Sequence, residues 1–507
     1  MKAILLLALQ TLFFVSLFAQ KNDISIDTDH KELNEIFVWA KQKARSFVVT
    51  GKRGPVNIHQ KNQESATVSY LPSYWAGYPL RTAFYSRDFC HQAIGAHLLG
   101  LEAENFTMLR AFAASATPSR KWFPLWAINF DGTPYTLDYK NDDNFVREIP
   151  AVFELVEKNA QLYDWTKDKR YLTDSALRQF NAKAVSDFVL AHDLKNPNGV
   201  AESDGSGNIF KGTATYNEHR DQTLIEAGDG IGSQYQAYLA FAKLSELSGN
   251  NIQATTYNEK AKALWNYFNK EWGIVDNKEL YNRGYDKNNF PVAGWGKENS
   301  WFLPLKEITD PRSDRHLKYL NYIDEQLGSK EGLPENIEAI TYVPELFFKY
   351  GQNERGWKWL KYIISKINTV HAMATLTGNN GDYPEVSFVL ISNVVQDMMG
   401  VNPGKKGYAI ETCSHLPKEL GRVKVSNVKI GRGMYTVEQR AVSETILSYT
   451  GGEAVQYWQA GFPGSHPYLY CNGKKTKSSI GQKNGITYSY IVVKIIGDRQ
   501  YSVTTQL

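Results

Sequence analysis

The run Ile149-Pro-Ala-Val-Phe-Glu-Leu-Val-Glu-Lys-Asn-Ala-Gln-Leu-Tyr-Asp164, the turn Trp165-Thr166-Lys167-Asp168 and the run 172–192 together decide the fold. Apolar side chains recur at i, i+3, i+4 and i+7, as Ile149, Val152, Phe153 and Val156 do, which is one face of a 3.6-residue helix. The short polar turn stops one helix and starts the next, so the two form an antiparallel hairpin. Working outward, the pattern pairs 90–101 with 104–115 across Gly100, 231–248 with 254–269, and 337–350 with 354–367, with further helices at 32–47 and 386–399. Spacing between hairpins drifts from about sixty to about a hundred residues, whereas a tetratricopeptide solenoid keeps a period of ~34. Hairpins so spaced suit a closed ring whose connecting loops meet on one face and build a cleft. After Gly400-Val-Asn-Pro-Gly404, a breaker cluster, the stretches 436–442, 444–449 and 488–496 are β-branched and Gly-punctuated, as strands are. The expectation is a mainly α fold with a ring over 21–400 and a small all-β region over 401–507.

Of 507 residues, 42% are apolar and 22% charged, which excludes a disordered chain. The net charge of +4, from 57 basic and 53 acidic residues, is too small and dispersed for the basic stripe of a nucleic-acid binder. Tyrosine is the most abundant aromatic, at 30 against 24 Phe and 12 Trp. Its flat body and polar tip suit the wall of a sugar cleft, though core packing uses the same rings. Met1-Lys2, an apolar stretch to Ala19 and the polar Gln20-Lys21 describe a signal peptide over 1–20. A periplasmic or secreted protein, with no membrane contact after cleavage, is therefore expected. Cys90, Cys413 and Cys471 are too few for a disulfide framework. No CxxC or HExxH spacing occurs, so neither metal nor cofactor is expected.

Chemistry-bearing residues concentrate in the loops. Trp75, Arg87, Asp88 and His91 fall in one segment, where Arg87 and His91 lie one helical turn apart and Asp88 is either a helix cap or a functional acid. The aromatic loop 121–143 contains Trp126 and the pair Asp142-Asp143. Thr215-Tyr216-Asn217-Glu218-His219-Arg220-Asp221 brings several polar functions together before the helix opening Glu226-Ala-Gly-Asp229. Tyr285, Glu298 and Trp301 belong to the loop 281–301, Tyr342 and Glu345 to the helix opening at 338–345, and Glu385 to Gly381-Asp382-Tyr383-Pro384-Glu385. An acid in the first helical turn is also what the helix dipole alone would favour.

The hairpins, the loop 122–126, the openings Glu226-Ala-Gly-Asp229 and Tyr383-Pro384-Glu385, and the tail after Asn402-Pro403-Gly404 resemble the six-hairpin, (α/α)6-toroid carbohydrate-active superfamily over roughly residues 30–500. That toroid hosts hydrolases and lyases alike. β-Elimination on a uronic acid needs a group to neutralise the carboxylate, a base, and an acid for the departing oxygen. Tyr216, His219, His91 and Tyr342 are the catalytic candidates for it, with Arg87, Asn217, Arg220, Trp75, Trp126, Tyr285 and Trp301 holding substrate. The whole chain is similar to dehydratases that process ulvan oligosaccharides, which implies an acidic oligosaccharide substrate and a 4,5-unsaturated uronate product. The alternative is a glycoside hydrolase, which needs two carboxylates. Asp88, Glu218, Asp229, Glu298, Glu345 and Glu385 are available for it.

Overall fold

A computed structural model describes residues 23–60, 67–217, 221–275, 279–372, 378–405, 407–451 and 454–506. The expected signal segment and Glu218-His219-Arg220 lie outside the described residues. The helices that carry the architecture are α1 (Lys31–Ser46), α2 (Ser86–Leu98), α3 (Glu102–Ser115), α4 (Ile149–Thr166), α5 (Ser175–Ala184), α6 (Gly228–Leu247), α7 (Asn251–Tyr267), α8 (Glu298–Leu305), α9 (Asp314–Gly328), α10 (Val343–Lys349), α11 (Asn353–Lys366) and α12 (Pro384–Ser392). Their starts are written locally: Asp174, Asn250 and Ser313 cap α5, α7 and α9 through side-chain oxygens, and proline opens α4, α10 and α12.

The two sets of helices differ in burial. Odd-numbered members are amphipathic, as in α9, where His316, Tyr319, Leu320, Ile323 and Leu327 form one buried stripe. Even-numbered members are buried nearly all round, and every residue of α12 is buried, which marks a helix packed on all sides. Among the even helices α2 packs on α4, α4 on α6, α6 on α8 and α8 on α10. α10 packs on the π-helical turn Asn393–Met398 that continues α12, and α12 packs back on α2. The packing order thus returns to its start, and the odd helices lie outside it.

Two glycines set the tightest crossings. A Cβ on Gly95 of α2 would stand 2.0 Å from the carbonyl oxygen of Phe388 in α12, and one on Gly228 of α6 would stand 2.1 Å from that of Asn299 in α8. Only a residue without a side chain lets the backbones approach so closely.

The C-terminal strands make two sheets. The first runs, in spatial order, Ser25–Thr28, Arg422–Ile430, Gly433–Arg440, Glu444–Thr450, Arg499–Thr504, Tyr468–Cys471 and Lys474–Lys477. Its first strand comes from the start of the described chain and pairs antiparallel, Ser25 opposite Ser426. The second sheet is formed by Val401–Pro403, Ile410–Cys413, Gln456–Pro463, Ile486–Ile495 and Ser479–Lys483. One hydrophobic cluster joins helices to sheets. His97 Nε2 meets Lys429 O at 2.9 Å, and Gly431 N donates to Trp165 O at 2.7 Å. The three cysteines are free.

Several sequence boundaries change. The run 172–192 is broken into Arg170–Thr173, α5 and Asp187–His192. Residues 298–301, read as loop, open α8, and the pair α8–α9 was not anticipated. α8 is eight residues long, buried along its length and contains Pro304, so it offers neither periodicity nor length. Gly95→Ala should destabilise the fold by about 1–3 kcal/mol through overpacking; chemical denaturation measures it, and an unchanged midpoint contradicts the close crossing.

Candidate active site

The N-terminal ends of α2, α8, α10 and α12 line one cleft of about 430 Å³, and those of α4 and α6 lie behind it. Each end carries an acid: Asp88 in α2, Glu148 before α4, Asp229 in α6, Glu298 at α8, Glu338 in the short helix Ile337–Ile340 before α10, and Glu385 in α12. Asp88, Glu298, Glu338 and Glu385 line the cleft directly.

Three of these carboxylates have a buried partner. Tyr383, held extended by the proline that follows it, donates its hydroxyl to Asp88 Oδ1 at 2.7 Å. His371 Nε2 lies 2.9 Å from Glu338 Oε2. His91 Nδ1 meets Glu385 Oε1 in a short contact, and the imidazole lies flat on the Tyr342 ring at 3.4 Å and 4°. Burial raises the Asp88 carboxyl, against the pull of Arg87 and the Tyr383 hydroxyl. Glu385 is pushed much further, first by burial and then by the neighbouring Asp88 charge, well above the usual carboxylate range. Burial, reinforced by Lys158 and Lys306, holds His91 well below its ordinary value, so the imidazole is neutral. Burial and the surrounding acids thus favour the protonated form of Glu385. Asp88 is not a helix cap, since α2 begins two residues before it.

Facing these groups, Lys297 and Glu298 stand at the start of α8. Lys297 has φ 51° and ψ −118°, a backbone conformation uncommon for a residue with a side chain and typical of functional turns. Its side chain lines the cleft. A further wall is aromatic. Arg81 stacks on Tyr78 at 4.8 Å and donates to the Tyr85 hydroxyl at 2.7 Å, which donates on to Asp138 at 3.1 Å. Trp126 meets Tyr85 edge-on and ties its indole N–H to Glu148 at 2.7 Å.

The remaining candidates are distributed as follows. Tyr216 and Asn217 line the cleft. The Tyr216 hydroxyl donates to Glu154 at 2.6 Å, and its ring and carbonyl hold Arg87 at 5.1 and 3.2 Å. Burial pushes the phenols of Tyr216 and Tyr342 well above their ordinary value, so both are proton donors rather than bases. The Tyr342 hydroxyl has no hydrogen-bond partner among the described residues. Asp229 lies behind the cleft, accepting from Thr215 Oγ1 at 2.9 Å and Tyr216 N at 2.6 Å. Glu345 pairs with Lys349 at 3.3 Å away from the cleft. Trp75 packs on Phe130, Tyr285 donates to Trp272 O, and Trp301 is fully buried against Trp295; none of the three lines the cleft. Asp142 is a loop tie, bound by Ser119, Arg120 and Tyr139. Glu338, His371 and Lys297 were not singled out from sequence. Glu338 lay in a quoted helix opening, but nothing in the sequence links it to His371.

No protein-family model matches the sequence, and no curated protein matches it either. Solved structures do match in shape. An α-L-rhamnosidase from Dictyoglumus thermophilum aligns at TM-score 0.60 and 13% identity over 95% of this chain and 50% of its own. A rhamnosidase of family GH78 from Bacillus sp. GL1 aligns at 0.59 and 10% over 85% of this chain and 42% of its own. That of Aspergillus terreus aligns at 0.54 and 12% over 94% of this chain and 50% of its own. The likeness is one of fold, shared with these α-L-rhamnosidases over most of the chain. The chain spans about half the length of those rhamnosidases.

Asp229 gives a pH test of the packing behind this cleft. Burial lifts its carboxyl from an ordinary 3.8 to about 7. Its contribution to stability is complete below 3.8 and is lost as pH rises through about 7, because over that interval the folded chain holds a proton that the unfolded chain has released. The Asp229→Asn variant should show a flatter denaturation midpoint than the parent across this interval. Parallel curves contradict the burial of an ionisable acid there.

Proposed function

We propose that the protein is a glycoside hydrolase built on an (α/α)6 toroid, with Glu385 as general acid and Glu298 as general base. The observation that carries this reading is the cleft itself: one buried carboxyl kept protonated on α12, and another acid on α8, which stands two places from α12 in the packing order and three from α2. Hydrolysis of a glycosidic bond needs that pair, one acid to protonate the departing oxygen and one carboxylate to activate water. The Tyr78, Tyr85 and Trp126 wall offers flat faces to a sugar ring. Asp88, oriented by Tyr383, accepts from sugar hydroxyls.

The structural neighbours are rhamnosidases, so aryl α-L-rhamnosides head a panel of aryl glycosides. Turnover should add one water to the products by mass. Glu385→Gln should lower kcat by about 10²–10⁴-fold, most for leaving groups that need protonation. Glu298→Gln should lower it for every leaving group. Full activity in either variant removes that residue from the mechanism.

Lys297 supports a second chemistry. Its ammonium makes no hydrogen bond or ion pair among the described residues while lining the cleft, so an anionic sugar such as a uronate has a cation to meet. Loss of one water from a uronate-terminated oligosaccharide, with the ultraviolet absorbance of an unsaturated uronate, would establish the dehydratase instead.

A further inference from the structure

Behind the cleft, along the axis of the even helices, lies a second, smaller cavity of about 50 Å³. Tyr342 lines both spaces, Glu385 only the cleft and His91 only the axial cavity. The Glu385–His91 contact is therefore the partition between them. Both side chains are closely buried, at 3% and 6% exposure. His91 Nε2, the nitrogen turned away from Glu385, is buried with no hydrogen-bond partner among the described residues. The lining of the axial cavity is polar, and Lys158, Gln161, Gln396 and Asp397 in it are half-buried, so the space reaches toward solvent on the side away from the cleft.

A carboxyl that gives up its proton in a buried site leaves a charge that burial opposes. Resting on the reading of Glu385 as the acid, we infer that His91 is a charge-compensating positioning residue, taking a proton at Nε2 from water in the axial cavity as Glu385 yields its own to the departing oxygen. The carboxylate then forms against an imidazolium whose Nδ1–H donates to it. After the product leaves, the proton that Glu298 took from the attacking water passes through cleft water to Glu385, and Nε2 returns its proton to the axial cavity, so all three groups end as they began.

The charged groups around His91 are compatible with this cycle. Arg87 on α2 and Lys158 and Lys306 oppose the imidazolium in the resting state. Lys306 is largely committed to Glu154 at 2.5 Å and Glu157 at 2.7 Å, and Lys349 pairs with Glu345 on α10. From the π-helical turn, Asp397 faces the same cavity, its carboxyl raised well above the usual range by burial. Asp88 and Glu338 add negative charge around Glu385 itself. The new Glu385 carboxylate, in direct contact, is the change that tips the imidazole toward protonation.

The test compares leaving groups in His91→Asn, which keeps an N–H donor toward Glu385 but cannot be protonated. With a sugar or alkyl leaving group kcat should fall on the order of 100-fold, with little change in KM. With a dinitrophenyl leaving group, which departs without a proton, the fall should be only a few-fold. Imidazole added to His91→Gly should restore part of the first activity. Equal losses for both leaving groups overturn the inference and make His91 a packing residue. ¹⁵N NMR of the His91 ring, which needs no substrate, separates this from failure of the acid assignment. Nε2 should protonate at higher pH in the parent than in Glu385→Gln, and identical titrations overturn the compensation whatever the reaction. Undiminished hydrolysis by Glu385→Gln instead overturns the choice of acid.

Discussion

The even-numbered helices pack on one another in an order that returns to its start, and the N-terminal ends of four of them line one cleft; that arrangement governs the rest of the structure. Each end leaves four backbone N–H groups outside the helix ladder and carries roughly half a positive charge. The sequence answers with an acid at every one of them, from Asp88 and Glu148 round to Glu385. Away from the cleft, Lys306 is the residue that ends α8, and Lys349 closes α10 and donates to Leu305 O at 2.7 Å. The ends that carry these acids form an acidic pole of the core. The acidic pole is where a cleft lies open, so the carboxylates required by helix electrostatics are also the ones available for chemistry.

Burial then differentiates these acids. Asp229, roofed by Thr215 and Tyr216, serves the fold. Asp88 shares its site with a guanidinium and a phenol. Glu385 faces a neutral imidazole and the like charges of Asp88, Glu338 and Glu154. Similar side chains at equivalent positions acquire different protonation states because their neighbours differ, and a division of labour between acid and base depends on that spread.

The sequence shows the hairpins wherever one helix keeps a polar face. α1, α4, α7 and α11 were placed within a few residues by their periodicity, and α9 carried an equally regular stripe, Tyr319, Leu320, Ile323 and Leu327, that was passed over with its partner. The inner helices are harder to read, because a helix buried on all sides has no hydrophobic period, and α8 is also short. The site was legible in part. The acids after Pro384 and in Tyr85-Ser-Arg87-Asp88 stood out as helix openings. Their partners did not, because Tyr383 and Asp88 are 295 residues apart and His91 and Glu385 are 294 apart. Such pairs exist only once the ring has closed. The polar run 215–221, prominent in sequence, contributes Tyr216 and Asn217 to the cleft, and Tyr216 spends its hydroxyl on Glu154.

The strand Ser25–Thr28 has a consequence for how the molecule is made. It lies immediately before α1, yet its only sheet partner among the described residues is Arg422–Ile430. During synthesis this strand waits, unpaired, while some four hundred residues are added, and α1 likewise waits for α12. Loop closure over such a separation is entropically costly and slow compared with local hairpin formation. The strand is therefore among the last elements to be secured, and the C-terminal sheet acts as the clasp that ties it to the rest of the fold.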